Sequence, residues 1–104
     1  MINTFILEGK ITEISEVKET ERGNKFVRAT LKVDRNFRNS EGIYDFDFIE
    51  IELWRGIAEV FIEGSHIDDF ISIQGRIQTS KLKTNEGKEF IAVKLVAEKV
   101  SFLR

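Results

Sequence analysis

The chain has 104 residues and a formal net charge of −2; 41% of its residues are hydrophobic and 33% are charged. This length fits one domain with a small core, and the absence of cysteine excludes disulfides, thiol nucleophiles and thiol-based metal sites. No apolar run has the length of a membrane span and the N-terminus lacks a secretory pattern, so we expect no membrane association and a cytoplasmic location.

The first third of the chain predicts two strands with a polar segment between them. Residues 4–14 form the first strand, in which Gly9 indicates a bulge or a bend. Residues 15–25 are polar and contain a turn. The second strand runs from Phe26 to Asp34 and alternates between an apolar and a basic face. The residues expected to be buried are Val27, Ala29, Leu31 and Val33, and those expected to point outward are Phe26, Arg28, Thr30 and Lys32.

A loop at 37–42 follows. Its aromatic residue, Phe37, stands between Arg35 and Arg38. A lone aromatic residue in a loop usually folds back onto the core, but these basic neighbours also fit a ring that stacks on a nucleic-acid base. The sequence leaves both interpretations open.

The third strand carries the most informative pattern. Its residues alternate strictly over 47–54, and the aliphatic positions make a core face. Phe48 and Trp54 therefore point to the opposite side, where water is expected. A loop, a helix or a partner subunit would cover such rings in the simplest interpretation, whereas a ligand stacked on them is the functional one. Glu50 and Glu52 share this face and would repel phosphate unless arginines or a subunit contact neutralise them.

The remaining elements are a helix, two strands and a hairpin. Apolar residues at helical spacing predict a short helix from Arg55 to Glu63 that Gly64 ends. A fourth strand runs from Phe70 to about Thr79, with another bend at Gly75. A hairpin turn at 85–88 leads to the last strand, Phe90 to Phe102. The inward residues of the fourth strand are Ile71, Ile73 and Ile77.

Five strands with glycine bends and a helix between the third and fourth predict an all-β OB-fold, a small barrel that often binds oligonucleotides. We expect residues 1–104 to form this one domain. A generic five-stranded β domain is the alternative.

Charge is unevenly distributed along the chain. Residues 22–38 contain six basic residues and one acidic residue, a balance of +5, whereas residues 41–69 contain nine acidic residues and one basic residue, a balance of −8. A cationic groove is therefore compatible with the negative total, although a solvated charged surface has the same pattern.

No enzyme is expected from this sequence. His66 follows the predicted helix in a turn that offers no partner nucleophile or acid. The acidic pairs Asp45/Asp47 and Asp68/Asp69 fit a solvated surface better than a metal site. We therefore expect no catalytic residue, no metal and no cofactor.

The sequence also resembles the bacterial-type single-stranded DNA-binding proteins over essentially its whole length. The joint spacing of many short fragments carries this resemblance. They are Asn3-Thr4, Gly9, Thr12, Thr20, Gly23, Thr30-Leu31-x-Val33-x-Arg35-x-Phe37, Gly42, Asp47-Phe48-Ile49, Trp54, Ala58-Glu59, Gly75-Arg76-Ile77-Gln78-Thr79, Gly87-Lys88 and Val96-Ala97-Glu98-x-Val100-x-Phe102-Leu103.

The resemblance implies an OB-fold, a homotetramer and sequence-tolerant binding of single-stranded DNA. The base-stacking aromatics of the family fall on Phe37, Phe48 and Trp54, and a further one falls on Leu82, where the ring is missing. The sequence leaves a dimer open. It also ends after the barrel, so we expect no linker or acidic tail and no protein partners recruited by one.

We therefore expect the aromatics to stack bases and basic residues to neutralise phosphates. The alternatives are an OB-fold protein-interaction module with weak nucleic-acid affinity, as in primosomal relatives, and RNA binding. The basic residues are Arg28, Lys32, Arg35, Arg38, Arg55, Arg76, Lys81 and Lys83.

Overall fold

The computed structural model describes residues 1–103, which form a β-barrel with one helix. None of these residues belongs to a helix that is long and apolar enough to cross a membrane. The elements, in chain order, are β1 (Phe5–Ile14), β2 (Lys18–Glu19), β3 (Lys25–Arg38), β4 (Tyr44–Trp54), α1 (Arg55–Gly64), β5 (Phe70–Lys83) and β6 (Glu89–Leu103).

The five long strands close into a barrel. The first half of β1 pairs with β5 and its second half pairs with β3. β3 pairs with β4 over most of its length, β5 with β6, and a short parallel contact between Glu52 and Val96 joins β4 to β6. With α1 between the third and fourth long strands, this is the predicted OB-fold layout, which is confirmed. The two-residue strand β2, which pairs with the start of β3, was not predicted.

Alternation along the strands places the core inside this barrel, together with the buried residues of α1, Ala58 and Phe61. The predicted inward residues of β3 and β4 are buried, except Val33 and Ile49, which are half-buried. Ile77 is 43% exposed, so its predicted burial is wrong. The β5–β6 hairpin projects beyond the barrel at this point, and neither of its faces has a core to cover.

Gly75 marks the place where β5 bends. A Cβ atom there would lie 1.9 Å from the carbonyl oxygen of Val96, and the register between β5 and β6 shifts between Gln74 and Gly75. At Gly9 a Cβ atom would lie 2.6 Å from the carbonyl oxygen of Lys32, where β1 changes partner from β5 to β3. The bend predicted at Gly75 is therefore confirmed. At Gly9 the close approach requires glycine, but the irregularity of β1 lies further along, between Ile11 and Glu13, so the bulge or bend expected at Gly9 stays a prediction.

Several predicted boundaries require correction. The fourth predicted strand, expected to end at about Thr79, continues to Lys83 because it pairs with β6 along the hairpin. The loop predicted at 37–42 is wrong at its start, because β3 continues through Phe37 and Arg38 and the turn begins at Asn39, whose side-chain oxygen accepts hydrogen bonds from the backbone of Glu41 and Ile43. The helix does end at Gly64, but no left-handed glycine cap ends it. Gly64 instead leaves room for the Phe102 ring, which a Cβ atom would approach to 2.9 Å.

Candidate nucleic-acid interface

Four aromatic rings lie on the outer side of β3 and β4. We call this surface, formed by Phe26, Phe46, Phe48 and Trp54, the aromatic face. Phe26 is paired with Trp54, Lys32 with Phe48 and Asp34 with Phe46 across the two strands. Directly paired residues share a face of the sheet, so the register brings all of these side chains to one side. The predicted outward orientation of Phe48 and Trp54 follows from this register.

Phe48 is the most exposed ring of the aromatic face, at 63%. Its edge contacts Phe46, with ring centroids 5.3 Å apart and planes at 76°. The ammonium group of Lys32 lies 4.3 Å from the centroid of the Phe46 ring. A cation and an exposed ring thus stand side by side, as a nucleotide with its phosphate and its base requires.

Trp54 is half-buried and stacks on Phe26, with ring centroids 4.4 Å apart and planes at 21°. The guanidinium of Arg28 lies 5.4 Å from the Phe26 centroid. The narrow spacing of the two rings leaves no room for it between them, so it lies outside the pair. Trp54 is therefore supported from one side.

A cavity of about 460 Å³ adjoins Trp54. Trp54 lines this cavity and Phe26 does not. Its size falls within the range of about 300–1,000 Å³ that small-ligand sites occupy. The residues that line it are Asn24, Trp54, Arg55, Ile57, Arg76, Gln78, Val96, Ala97 and Glu98.

Arg55, at the edge of this cavity, has a positive φ of 53°. This left-handed conformation costs a non-glycine residue about 1–3 kcal/mol and is concentrated at functional sites. It occurs where β4 passes directly into α1, next to the stacked tryptophan. The strained residue is thus a basic one that lines the same cavity as Trp54.

The two glutamates of the aromatic face are neutralised by cations. Arg28 lies 3.2 Å from a carboxylate oxygen of Glu52 and 3.8 Å from one of Glu50. Lys94, from β6, lies 3.9 Å from Glu52. The repulsion that these acids would exert on phosphate is thus largely compensated within the chain.

Half of the predicted phosphate contacts are engaged in ion pairs. Arg76 lies 3.5 Å from Glu98, Lys83 lies 3.9 Å from Glu89, and Arg28 is paired as described. Arg35 donates two hydrogen bonds to Asp47, of 2.9 and 3.1 Å. Within residues 1–103 the predicted contacts that form no ion pair are Lys32, Arg38, Arg55 and Lys81.

The Arg35–Asp47 pair lies on the opposite side of the β3–β4 hairpin. Asp47 alternates with Phe46 and Phe48 along β4, so its side chain and its arginine partner face away from the rings. The hydrogen bond from Arg35 holds the pKa of Asp47 below its usual value. The structure therefore does not bring Arg35 together with the aromatic face.

The remaining predicted site residues lie toward the ends of the two hairpins. Phe37 is 64% exposed and lies in the irregular end of β3, where the register with β4 shifts. Its neighbour Arg38 is paired with Tyr44 and lies 5.4 Å from that ring, and Tyr44 shares the side of Phe46 and Phe48 on β4, so Arg38 continues the aromatic face. Lys81 and Lys83 alternate with Leu82 along β5. Leu82 shares its side of the strand with Gln78 and Arg76, which line the cavity. The two lysines therefore occupy the other side of the hairpin.

Sequence reasoning missed Phe46, Lys94 and Phe90 and gave Phe26 no role. Phe90 is 48% exposed and directly opposite Leu82, so the hairpin carries a ring beside the position where the expected one is missing. The signal available in the sequence was strand alternation. Phe46 stands two residues before Phe48, and Phe90 stands four residues before Lys94, so each pair points to one side of its strand. No group of three or more His, Cys, Asp or Glu residues within 1–103 is arranged to hold a metal ion.

Comparisons with known proteins agree with this fold. The Single-strand binding protein family matches residues 2–103. The chain is 34% identical over 103 residues to Single-stranded DNA-binding protein 3 of Listeria innocua, covering 99% of this chain and 64% of that protein. It is 35% identical to the Single-stranded DNA-binding protein of Lactiplantibacillus plantarum, with 99% and 52% covered. For Single-stranded DNA-binding protein 1 of Streptococcus pyogenes the identity is 34%, with 99% and 79% covered.

Solved structures show the same fold. An SSB of Plasmodium falciparum in complex with ssDNA superposes with a TM-score of 0.81 at 19% identity, covering 100% of this chain and 96% of that one. A deletion mutant of the single-stranded DNA-binding protein from Thermus aquaticus superposes with a TM-score of 0.79 at 19% identity, covering 99% and 51%. The chain spans between about half and two thirds of the length of several relatives. Because the family match extends over nearly every residue, the chain belongs to the Single-strand binding protein family.

Proposed function

We propose that this protein binds and protects single-stranded DNA without strong sequence preference, in replication, recombination or repair. The observation that carries the proposal is the aromatic face, where an exposed Phe48 and a supported Trp54 lie on one side of the barrel with Lys32 and Arg55 nearby. Binding, rather than catalysis, is what this surface supplies.

Stacking provides tolerance of sequence and selectivity for single strands. Every base has a π-face, so a ring accepts any of them, at about 1–3 kcal/mol per base. In a duplex these base faces are hidden between neighbouring pairs. A surface that presents rings therefore selects unpaired strands without reading their sequence.

Phosphate neutralisation provides the second contribution to binding. Among the described cations without an ion pair, Lys32, Arg38 and Arg55 are the first candidates, whereas Lys81 faces the other side of the β5–β6 hairpin. Arg28, Arg35, Arg76 and Lys83 contribute only if phosphate displaces their carboxylate partners. Each neutralised phosphate of a single strand lowers the slope of log K against log salt concentration by about 0.7.

The oligomeric state and the location belong to the proposal. The OB-fold chains are expected to assemble as a homotetramer, with a dimer as the alternative, and to act in the cytoplasm. Exposed apolar residues support assembly: Ile6 on β1 is 68% exposed and Phe70 on the neighbouring β5 is 55% exposed. Burying such residues against a second copy would remove them from water.

An OB-fold interaction module with feeble nucleic-acid affinity is the second candidate. The net charge of −2 and the four paired cations favour it. RNA is a further possible ligand, because stacking does not distinguish ribose from deoxyribose. A comparison of ribo- and deoxyribo-oligonucleotides of equal length distinguishes RNA from DNA as the ligand.

The test is a titration of the fluorescence of Trp54, the only tryptophan, with oligo(dT) of about twelve nucleotides at several salt concentrations. We expect quenching by the single strand and none by duplex DNA. A salt slope near −3 would indicate four neutralised phosphates, and one near −6 would indicate eight. No quenching, together with no gel shift at micromolar DNA, would instead support the interaction module.

A matched pair of variants locates the contact. Phe48→Ala removes a ring of the aromatic face, whereas Val60→Ala shortens an apolar side chain of similar exposure on α1, outside both the aromatic face and the proposed assembly surface. We expect Phe48→Ala to weaken binding by roughly tenfold and Val60→Ala by less than about twofold. Equal losses would show that the aromatic face is not the DNA-binding surface.

A further inference from the structure

Glu52 is a buried carboxylate in the middle of a surface that is otherwise open to solvent. It is only 5% exposed, although it stands at an outward position of β4 between Glu50 and Trp54. Arg28 and Lys94, which cover it, are themselves about one third exposed. Burial of a charged group is costly unless partners compensate it, so the partners of Glu52 explain why it is tolerated here.

Both carboxylate oxygens of Glu52 have partners. Oε1 accepts a hydrogen bond of 3.1 Å from the indole Nε1–H of Trp54. Oε2 accepts one of 3.2 Å from Nε of Arg28 and lies 3.9 Å from Nζ of Lys94. The two cations at Oε2 compensate the negative charge, and Oε1 remains available to accept the hydrogen bond from the indole.

These contacts restrict the orientation of the Trp54 ring. Phe26 covers one side of the ring at 4.4 Å, and the hydrogen bond to Glu52 holds its N–H edge. Rotation of the ring about its attachment to the chain would break the hydrogen bond and the stack together. A ring already fixed in its binding orientation loses less conformational entropy when a base stacks on it.

We propose that Glu52 is a positioning residue that holds Trp54 in its base-stacking orientation before DNA arrives. Arg28 and Lys94 form ion pairs with the same carboxylate. These two cations therefore stabilise the group that holds the ring and do not bind phosphate. This inference rests on the proposed function, because it assumes that Trp54 is the surface on which a base stacks.

Two substitutions separate the hydrogen bond from the charge. Glu52→Gln keeps a side-chain carbonyl that accepts from the indole but removes the negative charge. Glu52→Met has a similar length and removes both. We expect time-resolved fluorescence anisotropy of the free protein to show faster local motion of Trp54 in Glu52→Met, and motion close to that of the parent in Glu52→Gln. Circular dichroism and urea unfolding establish that each variant is folded.

DNA binding supplies the second measurement. We expect Glu52→Met to weaken oligo(dT) binding by about three- to tenfold, a part of the value of one stacking contact. Glu52→Gln should bind at least as tightly as the parent, because a negative charge near the phosphates is lost. In a Trp54→Phe background, where the ring has no N–H, adding Glu52→Met should change affinity by less than about twofold.

The outcomes distinguish this proposal from the proposed function. Unchanged Trp54 motion in Glu52→Met would overturn the positioning role, even if the protein binds DNA. A ring that moves as fast in Glu52→Gln as in Glu52→Met would overturn the hydrogen bond to the indole as the cause of the positioning, since the charge of Glu52 and not its acceptor oxygen would then hold the ring. An undiminished loss from Glu52→Met in the Trp54→Phe background would show that Glu52 acts elsewhere. If Trp54→Ala leaves DNA affinity unchanged, the stacking role of Trp54 fails, whatever the anisotropy shows.

Discussion

At the scale of single residues, the backbone conformation of Arg55 lowers stability at a position where an arginine is useful for the proposed function. Its φ of 53° lies in the left-handed region, which glycine adopts without steric cost and arginine does not. The arginine nevertheless lies at the cavity beside Trp54. A basic side chain that contacts the DNA backbone would account for a residue whose own conformation costs free energy.

We therefore predict that Arg55→Gly lowers DNA affinity without lowering stability. Affinity for oligo(dT) at low salt should fall by about fivefold, because one phosphate contact is lost. The free energy of unfolding in urea should stay the same or rise by about 1 kcal/mol, because the strain is relieved. Arg55→Lys is the control, which retains the charge and the strain. Parent-like affinity in Arg55→Gly would exclude Arg55 from the interface.

The Arg35–Asp47 pair gives a prediction about pH. Because the hydrogen bond from Arg35 lowers the pKa of Asp47 in the folded protein, the pair contributes stability at neutral pH. This contribution is present above the unfolded pKa of the aspartate and is lost as pH falls through its lower folded pKa.

Carboxyl NMR titration of Asp47 should therefore give a pKa below that of an ordinary aspartate, and Arg35→Ala should return it to the usual value. The stability difference between the parent and Arg35→Ala should disappear in acid. An unperturbed pKa in the parent would mean that the pair does not persist in solution. Because the pair faces away from the rings, the substitution should leave stacking on Trp54 unaffected.

At the scale of elements, the β5–β6 hairpin extends the proposed binding surface beyond the barrel. Its two sides differ: Leu82 and Phe90 continue the side of Gln78 and Lys94, and Lys81 and Ile91 form the other. Lys94 reaches Glu52 below the aromatic face, so the side that carries Phe90 is continuous with it. The hairpin thus supplies an aromatic ring to this side from a different strand than the resemblance implied.

We predict that Phe90 stacks on DNA. Phe90→Ala should weaken oligo(dT) binding by roughly tenfold, provided that the strand is long enough to reach the hairpin. Ile91→Ala is the matched control, since Ile91 is adjacent and 64% exposed but lies on the other side. Gel shifts with strands of increasing length measure both variants. Equal effects of the two substitutions would show that the hairpin does not present Phe90 to DNA.

At the scale of the whole molecule, the barrel leaves apolar surface on β1 and β5. Ile6 and Phe70 lie on this side, at positions where a water-facing strand usually carries polar residues. A second copy that packs against these strands would cover them. The proposed tetramer therefore has a surface on which to form.

We predict that sedimentation equilibrium gives a mass of four chains of 12.1 kDa. Ile6→Glu should lower this mass, because a charge cannot be buried against another subunit without a partner. Circular dichroism should show unchanged β-structure in the variant. A monomeric parent would exclude the assembly, and a parent-like mass in Ile6→Glu would place the interface elsewhere.

The sequence by itself determined the barrel, the order of its strands, the position of the helix and the outward direction of Phe48 and Trp54. These features follow from alternation and from glycine bends, which are local properties of the chain. Strand ends were harder to predict from the sequence, because a strand continues as far as a neighbouring strand pairs with it. β3 continues through Phe37 because it pairs with β4, and Ile77 is exposed because the hairpin has left the core.

Only the tertiary structure decided which side chains meet. Register pairs Phe26 with Trp54 and Arg28 with Glu52, and barrel closure brings Lys94 to the same carboxylate. The sequence predicts Glu52 as an exposed acid on the strand that carries Phe48 and Trp54, and the fold makes it the buried partner of an indole. The physical reason is that alternation determines the side to which a residue points, whereas burial and pairing depend on residues distant along the chain.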